Sequence, residues 1–148
     1  NKILPVGLGL ERCLYATYIS FYEPNHFTHK LTTHNDARGL FAEVLKTVDS
    51  GQFSFFTIRP GKIRGGHYHH TKNEKFVILS GTAKFGFRNI LSDKLFEITI
   101  SGDDFLIIDS IPGWTHNIKN IGNIDVVVML WANEIFDSKK PDTITSEV

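Results

Sequence analysis

The segment GKIRGGHYHHTKNEKFVILSG, residues 61–81, holds the densest group of potential metal ligands in this chain. His67 and His69 are two residues apart, so on an extended strand both side chains point to the same face. Glu74 follows after a short polar break and precedes a strongly apolar run. Imidazole nitrogens and carboxylate oxygens are good ligands for divalent first-row metals. The segment therefore predicts part of a metal site carried by two neighbouring strands.

A second segment, PGWTHNIKN at residues 112–120, carries another histidine, His116. This histidine lies far along the chain, so it meets the first segment only if the fold brings a distant strand across. Histidine and glutamate ligands in this number leave a coordination position for water or substrate, which is typical of reactive rather than structural metal sites. We predict that His67, His69, Glu74 and His116 share one divalent metal.

The composition limits the class of protein. The chain has 148 residues and a formal net charge of zero. This length fits one domain with a substantial core. A nucleic-acid partner would need clustered basic charge, which the balanced composition does not provide. The single cysteine, Cys13, excludes an internal disulfide and fits a reducing compartment. Because the sequence shows neither a signal-peptide pattern nor a bilayer-length apolar run, we expect a cytoplasmic protein without membrane contact.

The chain divides by pattern into an N-terminal linker and helical arm, residues 1–30, and a domain, residues 31–148. In the arm, the apolar residues of GLERCLYATYISF roughly follow helical spacing, and Pro24 is expected to end the helix. From residue 31 onward, short apolar or β-branched runs alternate with Gly, Asn, Asp and Pro breaks. A succession of such runs predicts an all-β sandwich or barrel.

Further local patterns concern the turns, two apolar strands and the tail. Ser80–Gly81 and residues 101–104 are typical of hairpin turns. The apolar runs at 105–109 and 125–132 are continuous, which predicts strands that are covered on both faces. The polar tail, residues 133–148, is expected to wrap the surface of the domain or a neighbouring subunit.

The two histidine segments also match the two motifs of the cupin superfamily. In the first motif, G-x5-H-x-H-x4-E-x6-G, the fixed positions are Gly61, His67, His69, Glu74 and Gly81. The end of the second motif, G-x2-H-x3-N, is matched by Gly113, His116 and Asn120. The resemblance implies an all-β fold, the cupin jelly-roll β-barrel, with the four ligands converging inside it.

Longer segments resemble the C-terminal cupin domain of CapF-type enzymes, which act in capsule and O-antigen synthesis. These segments are LYATYIS at 14–20, DARGLFAEVLKT at 36–47, HYHHTKNEKFVILSG at 67–81 and WANEIFDSKKPDT at 131–143. In that family the cupin domain carries zinc and epimerises C3 of a UDP-linked 2-acetamido-2,6-dideoxy-4-hexulose. An NADPH-dependent reductase domain then reduces C4. The resemblance implies a UDP-linked or other nucleotide-linked keto-deoxy sugar as substrate.

The same resemblance sets expectations for cofactors and partners. Zinc is the first choice for the metal, and iron, nickel, cobalt and manganese are alternatives that the same ligands accept. No nicotinamide cofactor is expected in this chain, because no G-x-G-x-x-G segment opens a βαβ unit. A reductase domain or partner and a homodimer are the expected associations, since cupins commonly pair.

His67 has two alternative roles. The segment D-x-R-G-x-F-x-E, which begins at Asp36, and the segment R-G-x-H-[YF], which begins at Arg64, are similar to RmlC-type sugar-nucleotide epimerases. In that group the histidine of the second segment is the catalytic base, which would make His67 a proton acceptor. The H-x-H pattern followed by Glu74 favours a ligand role instead.

Epimerisation next to a ketone needs a base, an acid and stabilisation of the enolate. A metal or fixed cation holds the developing oxyanion, the base removes the proton, and the acid returns one on the opposite face. Lys72 is the first candidate for a proton carrier because it lies between the ligands in sequence, and Tyr68 and His70 are further candidates. His70 is an odd step from His67 and His69, so a surface position on the opposite face is the alternative for it.

Three further side chains are candidates for substrate contact. Arg38 and Arg64 suit the diphosphate, since a guanidinium makes bidentate contacts with phosphate oxygens. For Arg38 the alternative is an ion pair with Glu43 at the start of a strand. Trp114 lies beside His116 and either stacks on the sugar or base or packs in the barrel mouth.

Three functions compete at this point. The first is a metal-dependent sugar-nucleotide epimerase, either the separated cupin domain of a bifunctional epimerase/reductase or a free-standing relative. The second is another cupin enzyme, such as a nucleotide-sugar 3,4-ketoisomerase or an iron-dependent oxygenase. The third is a non-catalytic sugar-binding or dimerisation module.

Overall fold

The computed structural model describes residues 2–148 and shows two β-sheets packed face to face, preceded by one helix. Helix α1 spans Gly9–Ser20, and one turn of 3₁₀ helix follows at Pro24–His26. The strands in the described residues are β1 Lys2–Ile3, β2 Thr33–Asp36, β3 Gly39–Thr47, β4 Gly51–Ile58, β5 Ile63–Tyr68, β6 Glu74–Ser80, β7 Thr82–Asn89, β8 Leu95–Ser101, β9 Ile107–Ser110, β10 Trp114–Asn120, β11 Val126–Ala132 and β12 Ile144–Thr145. Asn1, the first residue of the predicted arm, lies outside the described residues.

The strands form a seven-stranded and a five-stranded sheet. The order in the larger sheet is β1-β3-β4-β11-β6-β9, and β2 also pairs with β3. The order in the smaller sheet is β12-β5-β10-β7-β8. This architecture confirms the predicted all-β fold with a short N-terminal helix. The two sheets do not close into a complete barrel, because β8 and β9 each end a sheet.

The core lies between the two sheets and is formed by alternate residues of the strands. Its fully buried members include Ile58 of β4, Phe85 of β7, and Val126 and Val128 of β11. Burying one such side chain is worth about 1.5–3 kcal/mol relative to leaving it exposed. A register slip of one residue would turn core side chains outward, so the further core members on β6 and β10 fix the register of two strands that carry candidate ligands.

The expectation that two continuous apolar strands are covered on both faces is wrong. In β11, Val126 and Val128 are buried, whereas the next residue, Met129, is exposed. In β9, Ile108 is buried and Ile107 is exposed. Both strands are therefore covered on one face only, as in an antiparallel sandwich, and their outer faces present apolar side chains to the surface.

The two predicted hairpin turns are crossovers between the sheets. Ser80–Gly81 connects β6 to β7, and these strands lie in different sheets. Gly81 has φ of +82°, and a Cβ there would lie 3.0 Å from the carbonyl oxygen of Asp125. The turn at residues 101–104 leads from β8 to β9, which also lie in different sheets. Turn residues reverse the chain both in a hairpin and in a crossover between sheets, so they do not reveal which strand the next strand pairs with.

The helical arm forms as predicted, although α1 ends at Ser20, before Pro24. None of the residues of α1 is buried, and Leu10, Leu14 and Tyr18 are exposed. The predicted linker begins with β1, which pairs in parallel with β3 of the domain. The proposed boundary between arm and domain stays a prediction. Among the described residues, no helix has the length and apolar character needed to cross a membrane.

The tail packs on its own chain. Strand β12 pairs with β5, the strand that carries His67. Oγ1 of Thr115 donates a hydrogen bond of 2.7 Å to the carbonyl oxygen of Ser146. Nε of Arg88 donates one of 2.9 Å to the carbonyl oxygen of Glu147. The tail therefore wraps the surface of its own chain, against the sheet that carries His67 and His116.

Candidate metal centre

Three strands and one loop bring the predicted ligands together. His67 lies in β5, His69 follows the end of that strand at Tyr68, Glu74 opens β6, and His116 lies in β10. His116 pairs with His67 across the ladder between β10 and β5. Because β6 belongs to the opposite sheet, Glu74 approaches the histidines across the interior of the sandwich.

The approach of β10 to β5 depends on Gly65. This residue has φ of +93°, and a Cβ there would lie only 2.6 Å from the carbonyl oxygen of His116. The pairing register between the two strands also shifts between His116 and Asn117. A glycine permits both the left-handed conformation and the close backbone contact. Gly65 therefore allows His116 to lie directly beside His67.

The four side chains form a compact cluster. One ligand atom from each of the four lies within 4.8 Å of the others. Oε2 of Glu74 is 3.2 Å from Nε2 of His69 and 3.5 Å from Nε2 of His116. Glu74, His69 and His116 are only 8%, 1% and 2% exposed. His67 is only partly buried, so it is the most accessible member of the cluster.

The second ring nitrogens show which atoms are available to a metal. Nδ1 of His69 is 2.6 Å from the carbonyl oxygen of Asp142, and Nδ1 of His116 is 3.1 Å from Oγ of Ser110. A carbonyl oxygen only accepts, so Nδ1 of His69 carries the hydrogen, and in the neutral ring Nε2 presents a lone pair to Glu74. In that state two acceptors, Nε2 of His69 and Oε2 of Glu74, face each other at 3.2 Å. Either a second proton on the ring or a bound cation between the two atoms satisfies both of them. These residues therefore fit a divalent metal.

The charges of the cluster also suit a metal. Burial alone would raise the pKa of Glu74, but hydrogen bonds with His116 and His69 outweigh it and hold the pKa well below its usual range. Burial, with the neighbouring His116, lowers the pKa of His67 to about 4. At neutral pH Glu74 is therefore ionised and His67 uncharged, which are the protonation states that ligands need.

The cluster opens into a cavity of about 250 Å³. Its lining combines cluster members with two arginines and a largely aromatic and aliphatic wall: Arg38, Phe41, Phe56, Arg64, Gly65, His67, Glu74, Phe76, His116, Ile118 and Leu130. A mostly apolar cavity with a few convergent charged groups is typical of a small-molecule site.

Arg64 is a largely buried cation on the wall of this cavity. Its side chain is 14% exposed, its Nε donates to the carbonyl oxygen of Thr57 at 3.1 Å, and its Cζ lies 5.5 Å from the ring centroid of Phe56. Its Nη2 is 3.8 Å from Oδ1 of Asp36, and no acceptor within residues 2–148 hydrogen-bonds to it. Burial lowers the pKa of Arg64, and the nearby carboxylate of Asp36 opposes this effect. The guanidinium therefore has donor capacity to spare for an anionic group in the cavity.

Arg38 occupies the rim of the cavity rather than its interior. Its Nη2 pairs with Oδ2 of Asp36 at 2.6 Å, and its side chain is half exposed. Glu43, the alternative partner of Arg38, has Nζ of Lys46 2.7 Å from its Oε2. Arg38 and Arg64 thus flank one carboxylate at the entrance of the cavity.

The three candidate proton carriers, Lys72, Tyr68 and His70, are not among the residues that line this cavity. Lys72 is only 6% exposed, and its Nζ donates to Oγ1 of Thr143 at 2.9 Å and to the carbonyl oxygen of Pro141 at 3.3 Å. His70 is exposed, and its ring lies 5.4 Å from the ring of Tyr68. The structure therefore directs the ammonium of Lys72 to the tail, and it places His70 against Tyr68.

Trp114 faces a different cavity. This second cavity, of about 310 Å³, lies between β8 and β9 and is lined almost entirely by apolar side chains, among them Phe87 and Phe96. Trp114 is partly buried and packs against the core. Of the two alternatives for Trp114, this position corresponds to packing at the mouth of the sandwich.

Ser110 and Asp142 are site residues that sequence reasoning missed. Ser110 contacts His116 through its hydroxyl, and Asp142 contacts His69 through its backbone carbonyl. A carbonyl contact leaves no trace in residue type, and Asp142 is separated from the histidine by 73 residues. No feature of the sequence points to Asp142, whereas Ser110 is recognisable as a polar residue at the end of a strand.

Comparison with known proteins connects the chain to polysaccharide biosynthesis. The family model of the polysaccharide biosynthesis C-terminal domain matches residues 34–144. The chain is 54% identical over 143 residues to the UDP-2-acetamido-2,6-beta-L-arabino-hexul-4-ose reductase of Pseudomonas aeruginosa, covering 97% of this chain and 38% of that protein.

Solved structures show the same likeness. The capsular polysaccharide assembling protein CapF from Staphylococcus aureus matches with a TM-score of 0.95 and 41% identity, over 99% of this chain and 40% of that protein. The cupin domain of Drosophila melanogaster CENP-C matches with a TM-score of 0.60 and 14% identity, over 70% of each chain, and this likeness shows the fold alone.

The chain spans about two fifths of the length of the reductase and of CapF. The matches cover 97% and 99% of this chain. The resemblance to CapF-type proteins is therefore confirmed. The chain has a cupin fold and belongs to the polysaccharide biosynthesis C-terminal domain family.

Proposed function

We propose that this chain is a metal-binding cupin enzyme that epimerises C3 of a nucleotide-linked 4-keto-6-deoxy sugar. The observation that carries the proposal is the buried contact of 3.2 Å between Nε2 of His69 and Oε2 of Glu74, in a four-residue cluster beside a cavity that also holds two arginines. The name of the Pseudomonas relative describes a UDP-linked hexul-4-ose, which is a sugar with a ketone at C4. A ketone at C4 acidifies the proton at C3 when the enolate is stabilised.

The residues that would hold the metal are His67, His69, Glu74 and His116, with zinc as the first choice. When bound there, the metal supplies Lewis-acid stabilisation of the enolate oxygen. The chain itself contributes a fixed set of donor atoms. The carbonyl oxygen of Asp142 sets the tautomer of His69, and the opposed sheets hold Glu74 against the histidines.

The arginines bind the anionic part of the substrate in this proposal. Arg64 lines the cavity, and within residues 2–148 its buried Nη2 has no hydrogen-bond acceptor, so the guanidinium is the candidate to bind a phosphate oxygen. Arg38 is already paired with Asp36 at the rim. It therefore contributes positive charge near the entrance rather than a free hydrogen-bond donor. Together they place the diphosphate at the mouth and direct the sugar toward the cluster.

His67 is the side chain best placed to move the proton. It lines the cavity, and within residues 2–148 its ring nitrogens have no hydrogen-bond partner that would hold them. Its lowered pKa keeps the ring neutral, so a lone pair is available either to the C3 proton or to the metal. In the base role the proton passes from C3 to the ring, and an acid returns a proton to the opposite face of the same carbon.

The proposal is tested by following hydrogen–deuterium exchange at C3. A UDP-linked 4-keto-6-deoxy-HexNAc is incubated with zinc-loaded protein in deuterated buffer, and deuterium at C3 is measured by NMR. We expect exchange with zinc-loaded protein and none after chelation. An absence of exchange with the fully loaded chain would refute the epimerase proposal. Product analysis separates it from a 3,4-ketoisomerase, in which the ketone moves to C3.

Lys72→Met distinguishes Lys72 from His67 as the proton carrier. Loss of a general acid or base costs about 10²- to 10⁴-fold in rate. Because the ammonium of Lys72 is held by the tail, we expect exchange by the zinc-saturated variant to fall by less than about tenfold, below that range. A loss of 10²-fold or more at full zinc occupancy would assign the proton transfer to Lys72.

The proposal extends to partners. A reductase that acts on C4 of the epimerised product is the expected next enzyme, whether as a domain or as a separate chain. A homodimer is also proposed, supported by the exposed apolar side chains of α1 and of the outer face of β11. Light scattering on the purified chain should give twice the mass of one chain.

A further inference from the structure

The tail crosses directly over the loop that joins two candidate ligands. Strand β12 pairs with β5 so that Ile144 lies opposite Tyr68 and Thr145 opposite His67. The residues just before β12 therefore lie beside the loop at residues 70–73, which connects His69 to Glu74.

The side chain of Asp142 holds that loop through its backbone. Oδ1 accepts a hydrogen bond from the amide of His70 at 3.0 Å, and Oδ2 accepts from the amides of Thr71 and Lys72, each at 2.8 Å. The hydroxyl of Thr71 donates to Oδ2 as well, at 3.0 Å. Three successive amides thus converge on one carboxylate, an arrangement in which the charge strengthens each bond.

The backbone of Asp142 acts on the ligand itself. Its carbonyl oxygen is 2.6 Å from Nδ1 of His69, so it fixes the ring orientation and leaves Nε2 for the cluster. The residue has φ of +37°, which aspartate tolerates better than most side chains. One residue therefore positions both His69 and the loop that leads from it to Glu74.

Lys72 holds this segment from the other side. Its buried ammonium donates to the carbonyl oxygen of Pro141 and to the hydroxyl of Thr143, the two neighbours of Asp142. The loop amides bind the tail carboxylate while the loop ammonium binds the tail backbone. The hydrogen bonds therefore run in both directions between the loop and the tail.

We propose that Asp142 is a positioning residue for the metal centre, which holds His69 and Glu74 in ligating geometry from the tail. The inference rests on the proposed metal binding but concerns how the ligands are held rather than which reaction they serve. Outer-shell partners of metal-ligating histidines typically change metal affinity by about 10- to 100-fold. We expect an effect of that size from Asp142 although it touches neither the metal nor the substrate.

The first measurement uses metal-free protein and NMR of the histidine ring nitrogens. In the wild type, His69 should show a slowly exchanging Nδ1–H because the carbonyl oxygen of Asp142 accepts it. In Asp142→Ala the loop loses its carboxylate anchor, and this signal should broaden or the ring should become a mixture of tautomers. The exposed ring of His26, in the 3₁₀ turn at Pro24–His26, is the internal reference and should not change.

The second measurement is zinc affinity by competition with a chromophoric chelator. Asp142→Ala should bind zinc about 10- to 100-fold more weakly than the wild type, and Asp142→Asn, which keeps one acceptor oxygen, should recover part of the loss. Asp104→Ala is the matched control, because Asp104 accepts hydrogen bonds from the amide and hydroxyl of Ser101 at a turn between β8 and β9. Its zinc affinity should equal that of the wild type.

The outcomes separate this inference from the proposed function. Zinc affinity of Asp142→Ala within twofold of the wild type would overturn the positioning role, and so would an equal loss in Asp104→Ala. If Asp142→Ala does not fold, Asp142→Asn is judged by the same limits. A wild-type chain that binds no zinc would instead refute the proposed metal function, while the NMR comparison on metal-free protein would still decide how His69 is held.

Discussion

Glu74→Gln is expected to abolish tight zinc binding and, with it, deuterium exchange at C3. The glutamate supplies the negative charge of the cluster, and its Oε2 lies 3.2 Å and 3.5 Å from the Nε2 atoms of His69 and His116. The amide keeps the shape but loses the charge that draws a divalent cation. Loss of a direct ligand should exceed the roughly 10- to 100-fold effect of outer-shell changes. Metal analysis after gel filtration measures the outcome.

Glu97→Gln is the matched control for this substitution. Glu97 lies on β8 and pairs with Lys84 at 2.8 Å on an exposed surface. Exposed pairs of this kind contribute about 0–1 kcal/mol, so zinc content and exchange should equal those of the wild type. Stoichiometric zinc in Glu74→Gln would show that the carboxylate is not a ligand and would remove the basis of the four-residue site.

Arg64→Met is expected to weaken ligand binding and to leave stability nearly unchanged. A buried donor without an acceptor costs about 1–3 kcal/mol, and Nη2 of Arg64 is such a donor. A methionine of similar length fills the space beside Phe56 without that cost, but the hydrogen bond from Nε to the carbonyl oxygen of Thr57, worth about 1 kcal/mol, is lost. Thermal denaturation should therefore show nearly unchanged stability. UDP binding should weaken, because a hydrogen bond to a charged group is worth about 1.5–3 kcal/mol, or about 10- to 150-fold in affinity.

Arg88→Met should behave in the opposite way. Nη1 of Arg88 pairs with Asp93 at 2.8 Å, and Nη2 donates to Oγ of Ser146 at 2.9 Å and to the carbonyl oxygen of Glu147 at 2.7 Å. Its removal should therefore lower stability and leave UDP affinity unchanged. Calorimetric titration with UDP and thermal melts of both variants give the comparison. Unchanged UDP affinity in Arg64→Met would mean that the diphosphate binds elsewhere.

The strands and the ligand cluster were accessible to sequence reasoning because they leave local signals. Alternating or continuous apolar runs such as 82–89 and 126–132 form strands in the structure. His67, His69 and Glu74 fall in one short segment of uncommon composition, and the motif around His116 supplied the fourth member of the cluster. These signals depend on residue type and short spacing, which the sequence displays directly.

The remaining features depend on contacts between distant residues. The turns at 80–81 and 101–104 have hairpin composition, yet the next strand enters the other sheet. Lys72 lies between ligands in sequence, but its ammonium meets a tail some seventy residues away. The acceptor for His69 is a backbone carbonyl, which any residue at position 142 would carry. Spacing alone does not reveal such partners.

The position of Asp142 along the chain has a consequence for the order of assembly during synthesis. The strands that carry the histidines and Glu74 emerge from the ribosome first, because chains are made from the N-terminus. The loop between His69 and Glu74 stays without its anchor until the segment around Asp142, 70 to 73 residues later, has also emerged. Contacts between such distant residues form late in folding. Zinc should therefore enter a finished domain, and nascent chains stalled before residue 142 should retain it poorly.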